Sequence, residues 1–346
     1  MLFKHTKPPS NLSHFRHFGQ FVLRPCYVMH AVTSYQKHVL DRFETRMLNS
    51  KYSAIKASSA RRVVMHYFNS IAIDGSNLAG LSTEELGWDE LERANHEAER
   101  YELRVLEIIL KIVQTETGRA VFRDVERVSA STPDVFSWKS MVIKPNSNAP
   151  GRDPYPGANK AVNAYATPSD WAAATPKGKV FSSESYVDNK GVLRHRKLRG
   201  TGEGSDTVVE FTPQHFVFRS INLRIGITNP PFRFQADEFL LHEVVHGLRQ
   251  MSGLMYQKRV PFQKGYDNIE EFFAVLIANI YRSECDRKEL RKDHGKDFIE
   301  MSEAEFIRTG MNRSHLRQLR HQHPTLFSDL RDIDIPFNPT RRILDI

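Results

Sequence analysis

The prolines of this chain are unevenly distributed, and their distribution limits where long helices can form. Proline lacks the backbone N–H that a helix interior requires, and its ring clashes with the preceding turn. The middle third contains a dense group: Pro133, Pro145, Pro150, Pro154, Pro156 and Pro168. Helical patterns occur on both sides of this region and strand-like runs occur within it, so the sequence predicts the α+β class.

Short runs of β-branched and aromatic residues between turn signals predict the strands of the middle region. The predicted strands cover residues 141–143, 180–187, 192–198, 207–211 and 216–225. The segment Asp188-Asn189-Lys190-Gly191 predicts a hairpin turn between the second and third of them. A glycine-rich loop follows at Gly200, Gly202 and Gly204. No helix begins where a phosphate-binding loop would need one, so we expect the loop to turn another hairpin.

Apolar residues at spacings of three and four predict helices in the rest of the chain. Residues 36–73 show this pattern after an irregular start, and a long amphipathic helix is expected after Ser82, ending near Thr117-Gly118. Later helices are predicted over residues 239–251, 269–284 and 313–330. These patterns divide the chain into an N-terminal arm, residues 1–75, irregular and then helical, and a larger domain, residues 76–340.

Positive charge is concentrated in the N-terminal arm. Residues 1–73 carry eleven Lys and Arg against Asp41 and Glu44, a net charge of +9, so the remainder carries −1 of the total of +8. A basic arm can bind nucleic acid or an anionic membrane. Because no basic–aromatic repeat accompanies it, nucleic-acid binding is not favoured and a solvated arm is expected. No apolar stretch is long enough to span a membrane.

The two cysteines, Cys26 and Cys285, exclude a disulfide scaffold and a cysteine-rich zinc site. Their number suits a reducing compartment. The most apolar N-terminal stretch, residues 19–32, is interrupted by charged residues and a proline, which argues against a secretory signal. Any metal site in this chain must therefore be built from histidine and carboxylate ligands.

A histidine pair lies in an apolar helical pattern at His242-Glu243-Val244-Val245-His246. Residues four apart share a helix face, so both imidazoles can approach one Zn²⁺. Glu243 is turned away from that pair but can reach a water beside the metal. Gly247 removes a side chain next to the second histidine and should ease close packing there. The pattern therefore predicts two metal ligands and a general base.

A second apolar helix begins with two acids, Glu270 and Glu271, after Asn268. Asn268 is a suitable N-cap, and acids near a helix start are favoured by the helix dipole. A hydrolytic zinc site needs three protein ligands and one open position, so one of the two carboxylates can complete a His₂Glu set. We favour Glu271, because the small residues Ala274 and Ala278 on its side would let the two helices approach, but Glu270 stays an alternative.

Together, His242-Glu243-Val244-Val245-His246 and Glu271-Phe272-Phe273-Ala274 resemble the gluzincin pattern of lethal factor-like toxin proteases. The wider stretch, from Gly200–Asp206 through residues 268–284 to Phe337-Asn338-Pro339, is similar to the NleD-like type III secreted zinc metallopeptidase effectors. The resemblance covers about residues 100–340. It implies a zincin-like metallopeptidase domain with a small mixed or antiparallel sheet and active-site helices, preceded by a helical N-terminal region.

The resemblance also implies an activity and its partners. The implied function is a zinc-dependent endopeptidase with one Zn²⁺ per chain, acting on a protein substrate that could be a host kinase. Delivery into the host cytosol by a non-Sec route is implied as well; without delivery the protein would be cytoplasmic. The implied site comprises the ligands His242, His246 and Glu271, the base Glu243, and Tyr266 as oxyanion stabiliser, with Tyr281 and His294 as alternatives.

Two other functions remain open at this point. One is a basic nucleic-acid-binding or adaptor protein with a structural or degenerate metal site. The other is a zinc hydrolase that acts on a non-peptide amide. The predicted strand over residues 207–211 can likewise be placed in two ways, along the border of a substrate cleft or inside a sheet.

Overall fold

The computed structural model describes residues 64–67, 70–75, 88–131, 139–146, 164–213, 235–257, 266, 268–294 and 298–345. The chain divides into two compact units, residues 1–53 and 54–346, and all described residues belong to the second. The predictions for residues 1–63, including the irregular start and most of the first helical pattern, lie outside the described residues. The strand predicted over residues 216–225 does too.

The described elements are helices and short strands that follow one another in small groups along the chain. The helices are α1 (Trp88–Val113), α2 (Glu116–Ala130), α3 (Trp171–Ala174), α4 (Ala236–Met251), α5 (Ile269–Glu284), α6 (Glu303–Arg308), α7 (Gly310–Gln322) and α8 (Pro324–Arg331), followed by a 3₁₀ helix, Pro339–Asp345. The strands are β1 (Val64–Tyr67), β2 (Ile71–Asp74), β3 (Met141–Lys144), β4 (Tyr165–Pro168), β5 (Val180–Val187), β6 (Leu193–Arg199), β7 (Thr207–Glu210), β8 (Leu290–Arg291) and β9 (Phe298–Ile299).

A five-stranded mixed sheet forms the centre, with strand order β1-β2-β3-β7-β4. Strands β2, β3 and β7 are parallel, and β1 and β4 pair antiparallel at the two edges. Ile73, Ile143 and Val209 lie in register across the parallel strands and are fully buried. The mixed sheet and the α+β content agree with the prediction. Because β7 is an interior strand, it is a buried sheet member and does not border a cleft.

Helix α4 packs between this sheet and helix α5. Gly247 makes the first contact possible, because a Cβ there would meet the Met141 Cε at 2.6 Å and the Thr207 Cγ2 at 3.1 Å. On the α5 side, Ala274 and Ala278 are buried, as expected for small residues at a close helix contact. The two helices that carry the predicted ligands are thus held together inside the core.

The helical prediction for residues 36–73 is wrong where the structure tests it. Residues 64–67 and 71–74 form the antiparallel strands β1 and β2, and β2 continues into the sheet through β3. The sheet therefore extends across the boundary drawn at residue 75. The short apolar run Ile71–Ile73 fits a buried strand as well as a helix turn, and pairing with β3 decides between them.

Two predicted long helices are each divided. The first ends at Val113, and α2 begins at Glu116 after Thr115, whose side chain accepts the Gly118 N–H at 3.0 Å as an N-cap. Thr117-Gly118 thus lies inside a helix that the prediction missed. The second, predicted over residues 313–330, is divided between α7 and α8 at Pro324, which occupies the first turn of α8.

The hairpin predicted around Asp188-Asn189-Lys190-Gly191 is confirmed as the pair β5–β6, with Gly191 at φ +76° in the turn. The glycine-rich loop does not turn a second hairpin, because β6 and β7 belong to different sheets. Its Gly204 instead packs on the end of α4, where a Cβ would meet the Met251 carbonyl oxygen at 1.9 Å. None of the described helices has the length and apolar character of a membrane span.

Candidate metal centre

Helix α4 presents the histidine pair from the interior of the fold. Its first turn carries Asp237 and Glu238, whose charges favour the helix N-terminus. It ends before Gly253, which adopts φ +67° as predicted for a helix stop. His242 and His246 lie in the middle of the helix, one turn apart on the same face.

Helix α5 begins beside the face of α4 that carries the two histidines. Its first two acids, Glu270 and Glu271, point to different partners. The Asn268 side chain accepts the N–H groups of Glu270 and Glu271, at 2.9 and 3.1 Å, so the predicted N-cap is confirmed. Glu270 turns to Arg249 on α4, with Nη2 and Oε1 at 3.0 Å, and both side chains are buried. Glu271 turns toward the histidines. The structure thus assigns the neighbouring carboxylates to different partners and favours Glu271 as the candidate ligand.

Three ligand atoms converge at this point. The His242 Nε2 lies 3.1 Å from both the His246 Nε2 and the Glu271 Oε2, and the His246 Nε2 lies 3.4 Å from that oxygen. With bonds of about 2.0–2.1 Å to a tetrahedral zinc, ligand atoms lie roughly 3.3–3.4 Å apart. In the described residues, these three side chains are the group whose ligand atoms suit a metal ion. The distances and the donor types both fit zinc.

Arg291 on β8 orients one of the two imidazoles. Its Nη1 lies 3.2 Å from the His242 Nδ1, and its backbone N–H and carbonyl are both bonded to the Asn279 side chain, at 2.8 Å each. A guanidinium can only donate, so Nδ1 accepts and Nε2 faces His246 and Glu271. Because Nδ1 accepts, the proton of a neutral His242 lies on Nε2 here, whereas a metal-binding histidine carries it on Nδ1. Binding of an ion by Nε2 therefore requires this proton and the Arg291 contact to rearrange.

Glu243 lies on the sheet side of the pair. Burial raises the pKa of its carboxyl to about 7, although the nearby His246 opposes the rise. The Ala166 N–H on the edge strand β4 also donates to this carboxylate. A carboxyl with a pKa near 7 is suited to take up and release a proton at neutral pH.

The electrostatic potential around the three candidate ligands is strongly negative at His246. Burial lowers the pKa of His242 to about 3, so its imidazole is neutral at pH 7. Burial would lower the pKa of His246 too, but the carboxylates of Glu271, Glu243 and Glu270 raise it to about 9. Burial would raise the pKa of Glu271, yet the two imidazoles hold it well below its usual range. A field that holds a proton on His246 also favours a metal cation.

The three predicted oxyanion stabilisers occupy different places. The Tyr266 hydroxyl donates to the Lys292 carbonyl oxygen at 3.3 Å, and its ring packs against Phe272. The Tyr281 hydroxyl donates to Asp237 at 2.7 Å, within an ionic network at the start of α4. His294 alone has a described contact with a ligand, because its Nε2 lies 3.1 Å from the Glu271 Oε2. The geometry therefore favours His294 over Tyr266.

Sequence reasoning missed the supporting residues Arg249, Arg291 and Ala166. Each is far in sequence from the side chain it contacts, 21 residues for Arg249 and Glu270 and 49 for Arg291 and His242. The one available signal was Arg249 itself, a charged residue between the apolar Leu248 and Met251 near the end of α4, which required a buried partner.

Comparison of the chain with protein-family models and with curated proteins finds no match.

Proposed function

We propose that this protein is a zinc-dependent endopeptidase whose ion is held by His242, His246 and Glu271. The convergence of two imidazole nitrogens and one carboxylate oxygen within 3.4 Å of one another carries the proposal. In the metal-bound form both Nε2 atoms would be unprotonated and Glu271 a carboxylate, so all three would offer lone pairs to one shared cation.

The ligand set favours catalysis over a structural role. Structural zinc sites use four protein ligands, whereas hydrolytic sites use three and keep one position open. His294 contacts Glu271 but is not part of the group whose ligand atoms lie within 4.8 Å of one another. Glu271 is also partly exposed, with 17% of its side chain accessible, so the group can be approached from solvent. This geometry disfavours the alternative function, a binding or adaptor protein with a structural metal site.

The residues around the ligands have distinct roles in amide hydrolysis. A zinc ion held by these three ligands would supply polarisation of the scissile carbonyl and activation of water for attack. Glu243 accepts the proton of the attacking water and passes it to the leaving nitrogen, for which its raised pKa is suited. Ala166 holds the Glu243 carboxylate in place through its N–H. His294, which contacts Glu271 at its solvent side, is the candidate oxyanion donor, and its N–H would turn from Glu271 to the developing oxyanion.

The sheet with α4 against one side agrees with the zincin-like domain that the resemblance implies. Membership of the NleD-like effector family, delivery into host cells and a host kinase as substrate remain predictions of that resemblance. We prefer an endopeptidase to a hydrolase of non-peptide amides because the proteins that the chain resembles are peptidases. The search for new N-termini described below separates these two functions.

Metal analysis and a search for new protein N-termini test the proposal. The purified protein should contain about one zinc per chain, and His242→Ala should remove it. In a cell lysate, the zinc-loaded protein should create new N-termini, and Glu243→Gln should keep the zinc and create none.

Each part can fail separately. A zinc-free wild-type protein would contradict the metal site. Full zinc content without any new N-terminus, tested over several lysates, would contradict the endopeptidase and leave a non-peptide substrate. Full activity in Glu243→Gln would show that another group acts as base.

A further inference from the structure

A basic two-stranded ribbon extends from the domain and has no role in the site described above. Residues 177–200 comprise β5, β6 and their connections, and we call this segment the basic ribbon. It contains seven Lys and Arg against Glu184 and Asp188, a formal charge of +5. Because residues 74–346 together carry −1, the basic ribbon stands out from an otherwise acidic remainder.

Neither face of the basic ribbon is covered by other described residues. Its residues are exposed or half-exposed along both strands. Three exposed cations are Lys177 before β5, Lys190 in the turn and Lys197 on β6. Two strands alone are only marginally stable in water, so this ribbon adds little to the stability of the core. The exposed charge on both faces points to an interaction surface.

The far end of the basic ribbon is apolar as well as basic. Val187, Val192 and Leu193 flank the turn and are 66%, 48% and 61% exposed, and Val187 is paired with Leu193 across the strands. A partner that contacts this end gains from burying apolar surface as well as from pairing with the lysines.

The base of the basic ribbon lies against the C-terminal end of α4, the helix that carries the histidine pair. Lys179 Nζ lies 5.6 Å from the centre of the Tyr256 ring, and the Tyr256 N–H donates to the Glu270 carboxylate at 2.8 Å. Glu270 directly precedes the ligand Glu271. The glycine-rich loop after β6 also packs on the end of α4, where a Cβ on Gly253 would meet the Gly202 oxygen at 2.3 Å.

We propose that the basic ribbon binds an acidic segment of the polypeptide substrate that also carries apolar side chains, and so directs that substrate to the candidate metal centre. The proposal rests on the endopeptidase function. Charge complementarity and the apolar end define the partner, and the base of the basic ribbon lies against the helix that carries the histidine pair. Nucleic acid fits less well, because Asp188 and Glu184 pair with Arg194 and Arg196 and interrupt the row of cations that a phosphate backbone requires.

A binding measurement in the inactive protein tests the surface without depending on cleavage. The probe is a labelled peptide of alternating acidic and leucine residues, added to the full-length zinc-loaded Glu243→Gln protein and followed by fluorescence anisotropy. The Kd should rise roughly tenfold in a variant of this protein that also carries Lys177→Gln, Lys190→Gln and Lys197→Gln. This is the rise expected for the loss of three exposed ion pairs. Added salt should weaken binding.

A matched variant controls for net charge. Lys288→Gln, Arg308→Gln and Arg320→Gln remove three exposed cations outside the basic ribbon and should leave the Kd nearly unchanged. Equal weakening in both variants would overturn the proposal, because any basic surface, including residues 1–73, would then serve. An uncharged probe with Asn and Gln in place of the acids should bind poorly. Tighter binding of a labelled DNA duplex, lost in the basic-ribbon variant, would overturn it in favour of nucleic acid.

A kinetic measurement connects the surface to the reaction. The acidic segment is joined to a peptide that the wild-type protein cleaves. The added acidic segment should lower the KM of the wild type and of the control variant but not that of the basic-ribbon variant. The kcat should be unchanged in all three. An extension without effect on KM would overturn the proposal. Absence of cleavage of every peptide would instead count against the endopeptidase function, whatever the anisotropy shows.

Discussion

Two polar clusters lie between α4 and α5, within one helical turn of each other. The open cluster consists of His242, His246 and Glu271, and the closed cluster of Arg249 and Glu270. In the closed cluster a guanidinium meets a carboxylate, and the side chains are only 1% and 3% exposed. In the open cluster two imidazoles and a carboxylate face one another, and Glu271 reaches solvent.

The difference lies in the source of the positive charge. Arg249 supplies it to the closed cluster, where its guanidinium also donates to the Leu254 carbonyl at 2.9 Å and to the Gln322 side chain at 3.1 Å. The open cluster has no cation among its own three side chains once the histidines are neutral, so it requires a proton or a metal ion. A closed cluster of this kind holds the helices together, and an open one is available for chemistry.

Breaking the closed cluster should have the largest effect on folding. Arg249→Met leaves the Glu270 carboxylate buried without its partner, which should cost about 3–5 kcal/mol of unfolding free energy. Chemical denaturation of the wild-type and variant proteins measures this. Adding Glu270→Leu to Arg249→Met should restore much of the loss, because a buried ion pair can be replaced by apolar side chains. A stable single variant would show that the pair does not hold α4 and α5 together.

Breaking the open cluster should affect metal binding first. Glu271→Gln removes a charged ligand, and its loss of zinc affinity should exceed the roughly 100-fold typical of supporting residues around a metal. Zinc titration with a competing chelator measures the change. Glu270→Gln is the matched control: it should lower the unfolding free energy and reduce zinc affinity less. If Glu270→Gln loses zinc and Glu271→Gln keeps it, the assignment of the two carboxylates is reversed.

His294 lies at the solvent side of the open cluster, and variants of it can distinguish an oxyanion donor from a fourth metal ligand. His294→Asn should keep the zinc content but lower kcat by roughly 100-fold, the effect of removing one oxyanion donor. Tyr266→Phe should have a much smaller effect, because the Tyr266 hydroxyl is bonded to the Lys292 carbonyl oxygen. Steady-state kinetics and metal analysis of both variants test this. Loss of zinc in His294→Asn would instead identify His294 as a fourth ligand.

What the sequence predicts correctly here depends on local spacing. His242 and His246 share a helix face because they are four residues apart. Asn268 caps a helix whose Glu271 is only three residues further on, so the position of Glu271 also follows from short-range rules. Strand β2 was misassigned because its pairing with β3 joins residues about 70 apart. Arg249 and Arg291 were missed for the same reason, since each finds its partner on an element that only the tertiary fold brings close.

The smallest expected effect concerns a buried histidine beside the closed cluster. The His323 Nδ1 lies 3.0 Å from the Asp124 carboxylate, and burial lowers the pKa of His323. As the pH falls below about 6.5, the unfolded chain takes up this proton before the folded one does, so stability declines. Asp124, whose pKa is lowered by His323 and Arg127 against the effect of burial, loses its contribution only at more acidic pH.

His323→Gln should therefore flatten the decline in unfolding free energy between pH 7 and pH 5.5. Denaturant titrations at both pH values, with zinc removed from both proteins, measure it. His321→Gln, on the exposed side of the same turn, is the control and should leave the slope unchanged. Equal slopes in wild type and His323→Gln would mean that the acid sensitivity of the fold comes mainly from another buried group, foremost His242, whose pKa is lowered to about 3.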